Sequence, residues 1–156
     1  MIKDCVKITI KKNGKYEKKT INIIDFNPQN NEFFLASEFW VTGEYGSKRA
    51  DLILFVNGIP LIVMEFKRTR NPVREAYDKN ISDYKDTIPQ LFWYNAFILI
   101  SNGKDTEIGT LTGEFEDYFH WKKILSEDEK GNTLIDTAIN GCCEPNRFFD
   151  IFENFI

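Results

Sequence analysis

Runs of alternating apolar and polar residues at the start of the chain predict β-strands. Residues 3–10 and 16–24 both alternate in this way, and the dipeptide Asn13-Gly14 lies between them. An Asn-Gly pair between two such runs is a strong signal for a β-hairpin, because both residues readily adopt a positive φ. Residues 33–42 are rich in aromatic and β-branched side chains and predict a third strand.

The strongest hairpin signal lies further along the chain. Residues 49–56 and 59–67 contain continuous apolar runs and are separated only by Asn57-Gly58. Continuous apolar strands are typical of sheets that are covered on both faces. We therefore expect a buried pair of strands here, joined by a tight turn.

A helix is predicted after this hairpin. Asn71-Pro72 interrupts the strand pattern and places proline near a first helical turn. The apolar residues that follow are spaced by four, four, three and four positions, which is the period of one helix face. They are Val73, Tyr77, Ile81, Tyr84 and Ile88.

The rest of the chain adds two strands and three helices to the prediction. Residues 95–101 read as a buried strand, and residues 106–111 read as an edge strand. Helices are predicted at 114–121, 133–142 and 147–155. This order predicts an α/β (α+β) fold, with a mixed central β-sheet flanked by helices. Because there is no linker and no internal repeat, residues 1–156 are expected to form a single domain.

Composition and length are those of an ordinary globular domain. Of the 156 residues, 42% are hydrophobic and 28% are charged, which excludes a disordered or low-complexity chain. The apolar stretches are far shorter than the roughly 20 residues that span a bilayer, and the N-terminus has no apolar signal segment. Three cysteines, two of them adjacent at Cys142-Cys143, favour reduced thiols. These features predict a cytoplasmic protein without a membrane partner.

Charge is distributed unevenly along the chain. The net charge is −4, but residues 48–85 carry eight basic and five acidic side chains, whereas residues 105–156 carry four basic and twelve acidic ones. A local cationic surface on an acidic protein can bind phosphate groups, because salt screens exposed charges beyond roughly 8–10 Å. An uneven but merely solvated surface is an equally good interpretation of the charges alone.

Two carboxylates and a lysine are predicted to converge on the hairpin around Asn57-Gly58. Glu65 and Lys67 share one face of their strand, because alternate residues of a strand point the same way. The turn places Asp51 almost opposite Glu65, with Cβ atoms roughly 5 Å apart. Two carboxylates this close repel each other unless a cation or a shared proton lies between them.

This grouping has a functional and a structural interpretation. Paired carboxylate oxygens suit Mg²⁺ or Mn²⁺, which can activate a water molecule and polarise a phosphoryl oxygen. Lys67 would then act on the attacking water or on the phosphate. The alternative is a salt-bridge cluster on an exposed sheet face. The apolar runs beside these residues disfavour it, because carboxylates at the rim of a buried sheet are costly.

Several short blocks of sequence surround the predicted site. They read Thr42-Gly43-Glu44, Lys48-Arg49-Ala50-Asp51, Phe55-Val56-Asn57-Gly58-Ile59-Pro60-Leu61, Glu65-Phe66-Lys67, Ile88-Pro89-Gln90-Leu91-Phe92, Tyr94-Asn95 and Ile100-Ser101-Asn102-Gly103. Over roughly residues 22–125, this pattern resembles the nuclease domain of the R subunits of type I restriction enzymes. The resemblance implies a restriction-endonuclease-like core of the PD-(D/E)xK superfamily.

The resemblance also implies a role for individual residues. Asp51 and Glu65 would be the metal ligands, with Mg²⁺ or Mn²⁺ as the cofactor, and Lys67 would be the catalytic lysine. Related nucleases carry Gln-x-x-x-Tyr on the next helix, where this chain has Asn80 and Tyr84. Asn is one methylene shorter than Gln, but the i, i+4 spacing still places both residues on one helix face.

Basic residues near the predicted carboxylates are expected to contact the DNA backbone. Such contacts rest on charge and hydrogen bonds, so they depend on salt but not on base sequence. The residues are Lys48, Arg49, Arg68, Arg70 and Arg74.

The resemblance implies a type I site-specific deoxyribonuclease that hydrolyses double-stranded DNA, with the methylase and specificity subunits as partners in a prokaryotic cytoplasm. R subunits continue into an ATP-driven translocation motor. This chain contains no Gly-x-x-x-x-Gly-Lys-Ser/Thr loop, so ATP would act only through motor domains outside it, and the chain is expected to be a fragment of a longer protein. Two alternatives remain open: a stand-alone PD-(D/E)xK repair nuclease, and a non-catalytic docking module of the restriction complex.

Overall fold

The computed structural model describes residues 6–155 and confirms a mixed α/β architecture. The strands are β1 (Val6–Lys12), β2 (Lys15–Ile21), β3 (Phe33–Gly43), β4 (Gly46–Val56), β5 (Ile59–Phe66), β6 (Phe97–Ser101) and β7 (Thr106–Gly109). The first predicted strand is confirmed from residue 6 onward, and its positions 3–5 lie outside the described residues.

Three helices accompany these strands. Helix α1 runs without interruption through Arg74–Ala76, a π-helical turn at Tyr77–Ile81, and Ser82–Thr87. Helices α2 (Leu134–Cys142) and α3 (Pro145–Phe155) follow near the end of the chain. None of the helices in residues 6–155 combines the length and the apolar character that crossing a bilayer requires.

Five strands form the central sheet in the order β3-β4-β5-β6-β7. Neighbouring strands are antiparallel except β5 and β6, which are parallel because the chain crosses over between them through α1. The edge position predicted for the strand near residues 106–111 is confirmed, since β7 lies at one edge and β3 at the other. Strands β1 and β2 form a separate two-stranded sheet.

The Asn-Gly dipeptides at residues 13–14 and 57–58 form the predicted hairpin turns. The φ values are 52° and 80° at Asn13 and Gly14, and 51° and 80° at Asn57 and Gly58. Positive φ at both central residues defines a type I′ turn, whose twist matches the twist of the strands that it joins. The first turn sets the register of the β1–β2 hairpin throughout. In the β4–β5 hairpin the register set by the turn shifts by one residue beside Leu54 and Phe55.

Apolar residues cover both faces of the central sheet. On one face, α2 and α3 pack their side chains against the sheet, and Phe148, Phe149 and Phe152 are each at most 2% exposed. On the other face, α1 buries its apolar stripe. All five predicted stripe residues are at most 9% exposed: Val73, Tyr77, Ile81, Tyr84 and Ile88.

One predicted helix is wrong. Residues 114–121 form a single 3₁₀ turn at Phe115–Asp117, and the chain is extended after it. Phe119 pairs with Ile108 of β7 through two backbone hydrogen bonds of 2.9 and 3.0 Å. Because buried backbone groups need partners, the pairing with the sheet edge prevails over the local helical spacing of apolar residues.

Candidate active site

Asp51 of β4 lies beside Glu65, close to the end of β5. The two strands pair Leu52 with Met64, so Asp51 and Glu65 take the next position of the ladder. One carboxylate oxygen of Asp51 accepts a hydrogen bond of 2.8 Å from the backbone N–H of Phe66. This bond holds the Asp51 side chain over the end of β5, and the predicted cross-strand approach of the two carboxylates is confirmed.

Glu65 is almost completely buried, with 1% of its surface exposed. The Lys67 Nζ atom lies 3.6 Å from Glu65 Oε1, and the Tyr84 hydroxyl lies 3.2 Å from Oε2. Burial, and after it the charge of Asp51, raises the pKa of Glu65 to about 7, although the Lys67 ammonium opposes this shift. Glu65 therefore changes charge near neutral pH.

Asn80 and Tyr84 approach the same point from α1. The Lys67 ammonium donates a hydrogen bond of 2.5 Å to Asn80 Oδ1, and Asn80 Nδ2 donates to the Tyr84 hydroxyl over 3.4 Å. With the contacts of Glu65, these bonds close a polar ring of four side chains: Glu65, Lys67, Asn80 and Tyr84. The structure thus brings together all the residues predicted for catalysis, with Asp51 adjoining the ring at Glu65.

The Tyr84 hydroxyl has two possible acceptors for its single proton. It lies 2.7 Å from the backbone carbonyl oxygen of Arg49, closer than the 3.2 Å to Glu65. Burial raises the pKa of Tyr84, so the hydroxyl keeps its proton and acts as a donor. Tyr84 consequently lies in contact with both the backbone of β4 and the carboxylate on β5, and it donates its proton to one of them at a time.

Two structural features near the site have no signal in the sequence. The π-helical turn of α1 contains Asn80, and turns of this kind occur frequently at functional sites. In β3, Ser37 pairs with Leu52 and Phe39 pairs with Ala50, which leaves Glu38 opposite Asp51 with a φ of 51°. A positive φ is uncommon for a residue with a long side chain and stores strain beside the site.

Asp51 and Glu65 provide oxygen donors of the type that a hard divalent cation prefers. Within residues 6–155, no group of three or more acidic, histidine or cysteine side chains is arranged to hold a metal ion. Two carboxylates still suit Mg²⁺, because this ion keeps several of its water molecules when it binds to proteins. The repulsion that raises the pKa of Glu65 would also be relieved by a cation between the two groups. The donor set therefore fits a hydrated Mg²⁺ or Mn²⁺.

The basic residues predicted to contact DNA divide into two groups. Lys48, Arg49 and Arg74 form ion pairs within the chain, at distances of 2.6 to 3.4 Å, with Asp83, with Glu38, and with Asp78 and Glu116. Arg68 and Arg70 directly follow Lys67 in the loop after β5, and both are exposed. No carboxylate of the described residues forms an ion pair with either of them. A phosphate can therefore approach these two arginines without displacing a partner carboxylate of residues 6–155, whereas the other three must first release one.

Comparison with known proteins places the chain in a family. The family profile described as the N terminus of the type I restriction enzyme R protein matches residues 1–117, which include the whole polar ring. The chain belongs to this family. A subunit from Methanocaldococcus jannaschii, named as the MjaIXP endonuclease subunit of a type I restriction enzyme, is 30% identical over 100% of this chain and 17% of its own length.

Two further relatives are also named as endonuclease subunits of type I restriction enzymes. The type I restriction enzyme HindI endonuclease subunit of Haemophilus influenzae is 30% identical over 100% of this chain and 16% of its own length. The SsaAORF53P endonuclease subunit of Staphylococcus saprophyticus is 32% identical over 67% of this chain and 11% of its own length. The chain thus spans about one sixth of the length of the first two R-protein relatives.

Proposed function

We propose that this chain is the endonuclease domain of a type I restriction R subunit and hydrolyses phosphodiester bonds of double-stranded DNA with the help of Mg²⁺ or Mn²⁺. The proposal rests on one observation. Asp51 lies beside Glu65, and Glu65 belongs to a closed ring of polar contacts with Lys67, Asn80 and Tyr84. A salt-bridge cluster on an exposed face does not account for it, because Glu65 is buried next to a like charge.

Each residue has a distinct task in this proposal. Asp51 and Glu65 would hold the cation, which when bound makes water more acidic and polarises a phosphoryl oxygen. The Lys67 ammonium would donate a hydrogen bond to a phosphate oxygen, where negative charge develops as the attacking oxygen adds. Asn80 would keep that ammonium directed into the site, and Tyr84 would orient Glu65.

The loop after β5 would bring the DNA backbone to these groups. Arg68 and Arg70 are one and three residues beyond Lys67, so a phosphate that contacts them lies close to the polar ring. Contacts to phosphates carry no sequence information. Recognition of a DNA site would therefore come from specificity and methylase subunits bound in the same complex, in the cytoplasm of a prokaryotic cell.

Cutting would be coupled to ATP-driven translocation by a motor that lies outside these 156 residues. Because cleavage and translocation would be performed by different domains, they can be tested separately in the complete R subunit assembled with its methylase and specificity subunits. Lys67→Ala is expected to lower the rate of DNA cleavage by at least about a hundredfold. ATP hydrolysis and translocation should be unchanged.

The matched control for this test is Lys79→Ala, which removes an ammonium group from the exposed side of α1. Lys79 lies outside the polar ring, so its loss should leave cleavage close to the unaltered rate. If Lys67→Ala cleaves as fast as the control, Lys67 has been assigned wrongly.

The metal ligands can be tested on the chain itself by calorimetric titration with Mn²⁺ in the presence of a short DNA duplex. Asp51→Asn should lower the affinity for Mn²⁺ at least about tenfold, because it removes one of two charged donors. Asp83→Asn, which changes a carboxylate on α1 that is ion-paired to Lys48, should bind Mn²⁺ like the unaltered chain. If the unaltered chain binds no Mn²⁺ under these conditions, a non-catalytic docking module becomes the better interpretation.

A further inference from the structure

The hairpin of β1 and β2 is the most basic part of the chain. Residues 6–21 contain six lysines and one glutamate, a net charge of +5, so the other 140 residues together carry −9 within the total of −4. A body with this charge repels a polyanion. Attraction to DNA must therefore come from local basic surfaces, and the hairpin is the largest of them in net charge.

The register of the hairpin separates its side chains into two unlike faces. Residues directly opposite each other on paired strands point to the same side of the sheet. One face, which we call the lysine face, contains the pairs Lys7–Thr20, Thr9–Lys18 and Lys11–Tyr16. It includes no carboxylate, and all six residues are exposed.

The opposite face is mixed in character. It contains the partly buried Ile8 and Ile10 together with Glu17, and it also carries three lysines, Lys12, Lys15 and Lys19. The partly buried isoleucines are therefore on the opposite side of the hairpin from the lysine face. The lysine face consequently presents three ammonium groups and one aromatic ring to solvent.

The lysines of this face are spread along the length of the hairpin. Lys7 and Lys11 are separated by four strand positions, about 14 Å, and Lys18 lies between them on a strand about 4.8 Å away. The Lys11 ammonium is 5.8 Å from the centre of the exposed Tyr16 ring, so a phosphate and a sugar or base edge can be contacted together. A two-stranded ribbon is also narrow enough for the major groove of DNA, which is about 12 Å wide.

From these observations we propose that the lysine face of the β1–β2 hairpin binds the phosphate backbone of double-stranded DNA. This surface is distinct from the basic residues around the polar ring, and it adds to the proposed function, on which its choice of partner rests. It would hold the duplex without reading its sequence, because ammonium–phosphate contacts carry no base information. Each phosphate that it neutralises releases counterions, so the contribution weakens steeply with salt.

The test measures binding of a fluorescent DNA duplex by anisotropy, with EDTA present so that no cleavage occurs, over a series of salt concentrations. The variant is the full chain with Lys7→Gln, Lys11→Gln and Lys18→Gln combined. We expect its affinity to fall at least tenfold at low salt, and the slope of log affinity against log salt to decrease by about 2.7, which corresponds to three lost phosphate contacts.

Two companion variants keep the result unambiguous. Lys12→Gln, Lys15→Gln and Lys19→Gln combined removes the same charge from the opposite face of the same hairpin and should reduce the slope by much less. Replacing Lys7, Lys11 and Lys18 by Arg preserves the charges and should bind like the unaltered chain. Equal losses in the two Gln variants would overturn the assignment of the lysine face, as would an Arg variant that binds no better than the Gln variant.

Failure of this proposal can be distinguished from failure of the proposed nuclease site. Asp51→Asn should lower Mn²⁺ affinity without weakening DNA binding in EDTA, because it removes a negative charge near the phosphates. The Gln variant of the lysine face should weaken DNA binding but leave Mn²⁺ binding unchanged at a duplex concentration that saturates it. If the unaltered chain binds both Mn²⁺ and the duplex, and the Gln variant of the lysine face binds the duplex equally well, only the hairpin proposal is overturned. If the lysine face instead retains the chain on vesicles of anionic lipid and the duplex does not bind, DNA is the wrong partner.

Discussion

The two faces of the central sheet are built on different principles. On the face covered by α2 and α3, aromatic rings fill the space, and the Phe148 ring lies 5.4 Å from that of Phe149 and 5.9 Å from that of Phe152. On the face covered by α1, the apolar contacts between helix and sheet stop near the end of β5. The polar ring lies there, and Glu65, which belongs to the ring, is buried.

This difference shows how stability and chemistry are separated in one small domain. Aromatic packing on the α2–α3 face removes apolar surface from water and has no other requirement. The α1 face includes a buried carboxylate beside a like charge, which opposes folding unless a partner compensates it. Substitutions on each face can therefore test this contrast.

Replacing Phe148 by Ala should cause the largest loss of stability. Its side chain is fully buried between the sheet and α3, so the change removes packing and leaves a cavity, which typically costs about 3–5 kcal/mol. Urea denaturation of the full chain measures this difference. Phe119→Ala removes the same group from a site that is 53% exposed and should cost much less. Similar losses in both variants would mean that the α2–α3 face is not the main source of stability.

Glu65→Gln should change the free energy of unfolding in the opposite direction and make the metal-free chain more stable at pH 8. The pKa of Glu65 is raised to about 7 in the folded protein, against 4.5 when unfolded. The folded state therefore loses stability as the pH rises from 4.5 through 7, while a neutral Gln is unaffected. We expect a gain of about 1–3 kcal/mol at pH 8 that vanishes near pH 4.

Urea denaturation in EDTA at both pH values measures this gain, and added Mg²⁺ should reduce it by favouring the charged form of Glu65. Glu75→Gln is the matched control, because its hydrogen bonds to Lys79 and Asn71 lower the pKa of Glu75. The control should therefore show no gain at pH 8. If Glu65→Gln destabilises the chain at that pH, the buried carboxylate is well compensated by Lys67, and the contrast between the two faces is wrong.

The sequence predicted those parts of the fold that depend on neighbouring residues. The apolar stripe was enough to place Tyr84 against the sheet, and the turn at Asn57-Gly58 was enough to predict the pairing of β4 with β5. The turn alone would place Asp51 opposite Met64. A register shift beside Leu54 and Phe55, which has no signal in the sequence, brings Asp51 opposite Glu65. The segment 114–121 was mistaken for a helix because its pairing with Ile108 depends on contacts distant in sequence. The positive φ of Glu38 was missed for the same reason.

The basic residues show a further limit of sequence reasoning. Lys48, Arg49 and Arg74 look like free cations in the sequence, but their ion-pair partners come from α1, β3 and the segment after β7. The net charge of a segment cannot reveal such pairs, because the partners are brought together only by folding. The net charge of a segment does identify an excess of basic residues within one short element, as in residues 6–21.

The smallest change in cleavage rate is expected for Asn80, which links Lys67 to Tyr84 in the polar ring. Asn80→Ala removes the acceptor that directs the Lys67 ammonium, and we expect cleavage by the assembled enzyme to slow by about tenfold, equivalent to about 1.4 kcal/mol. Mn²⁺ affinity should change little, because Asp51 and Glu65 are intact. Ser82→Ala, two residues further along α1 and exposed, is the matched control.

A longer side chain at this position sharpens the same test. Asn80→Gln keeps the amide but adds a methylene, so it should retain more activity than Asn80→Ala if the amide itself directs Lys67. An Asn80→Ala enzyme that cleaves like Ser82→Ala would exclude Asn80 from the active site and leave Tyr84 as the only functional contribution of α1.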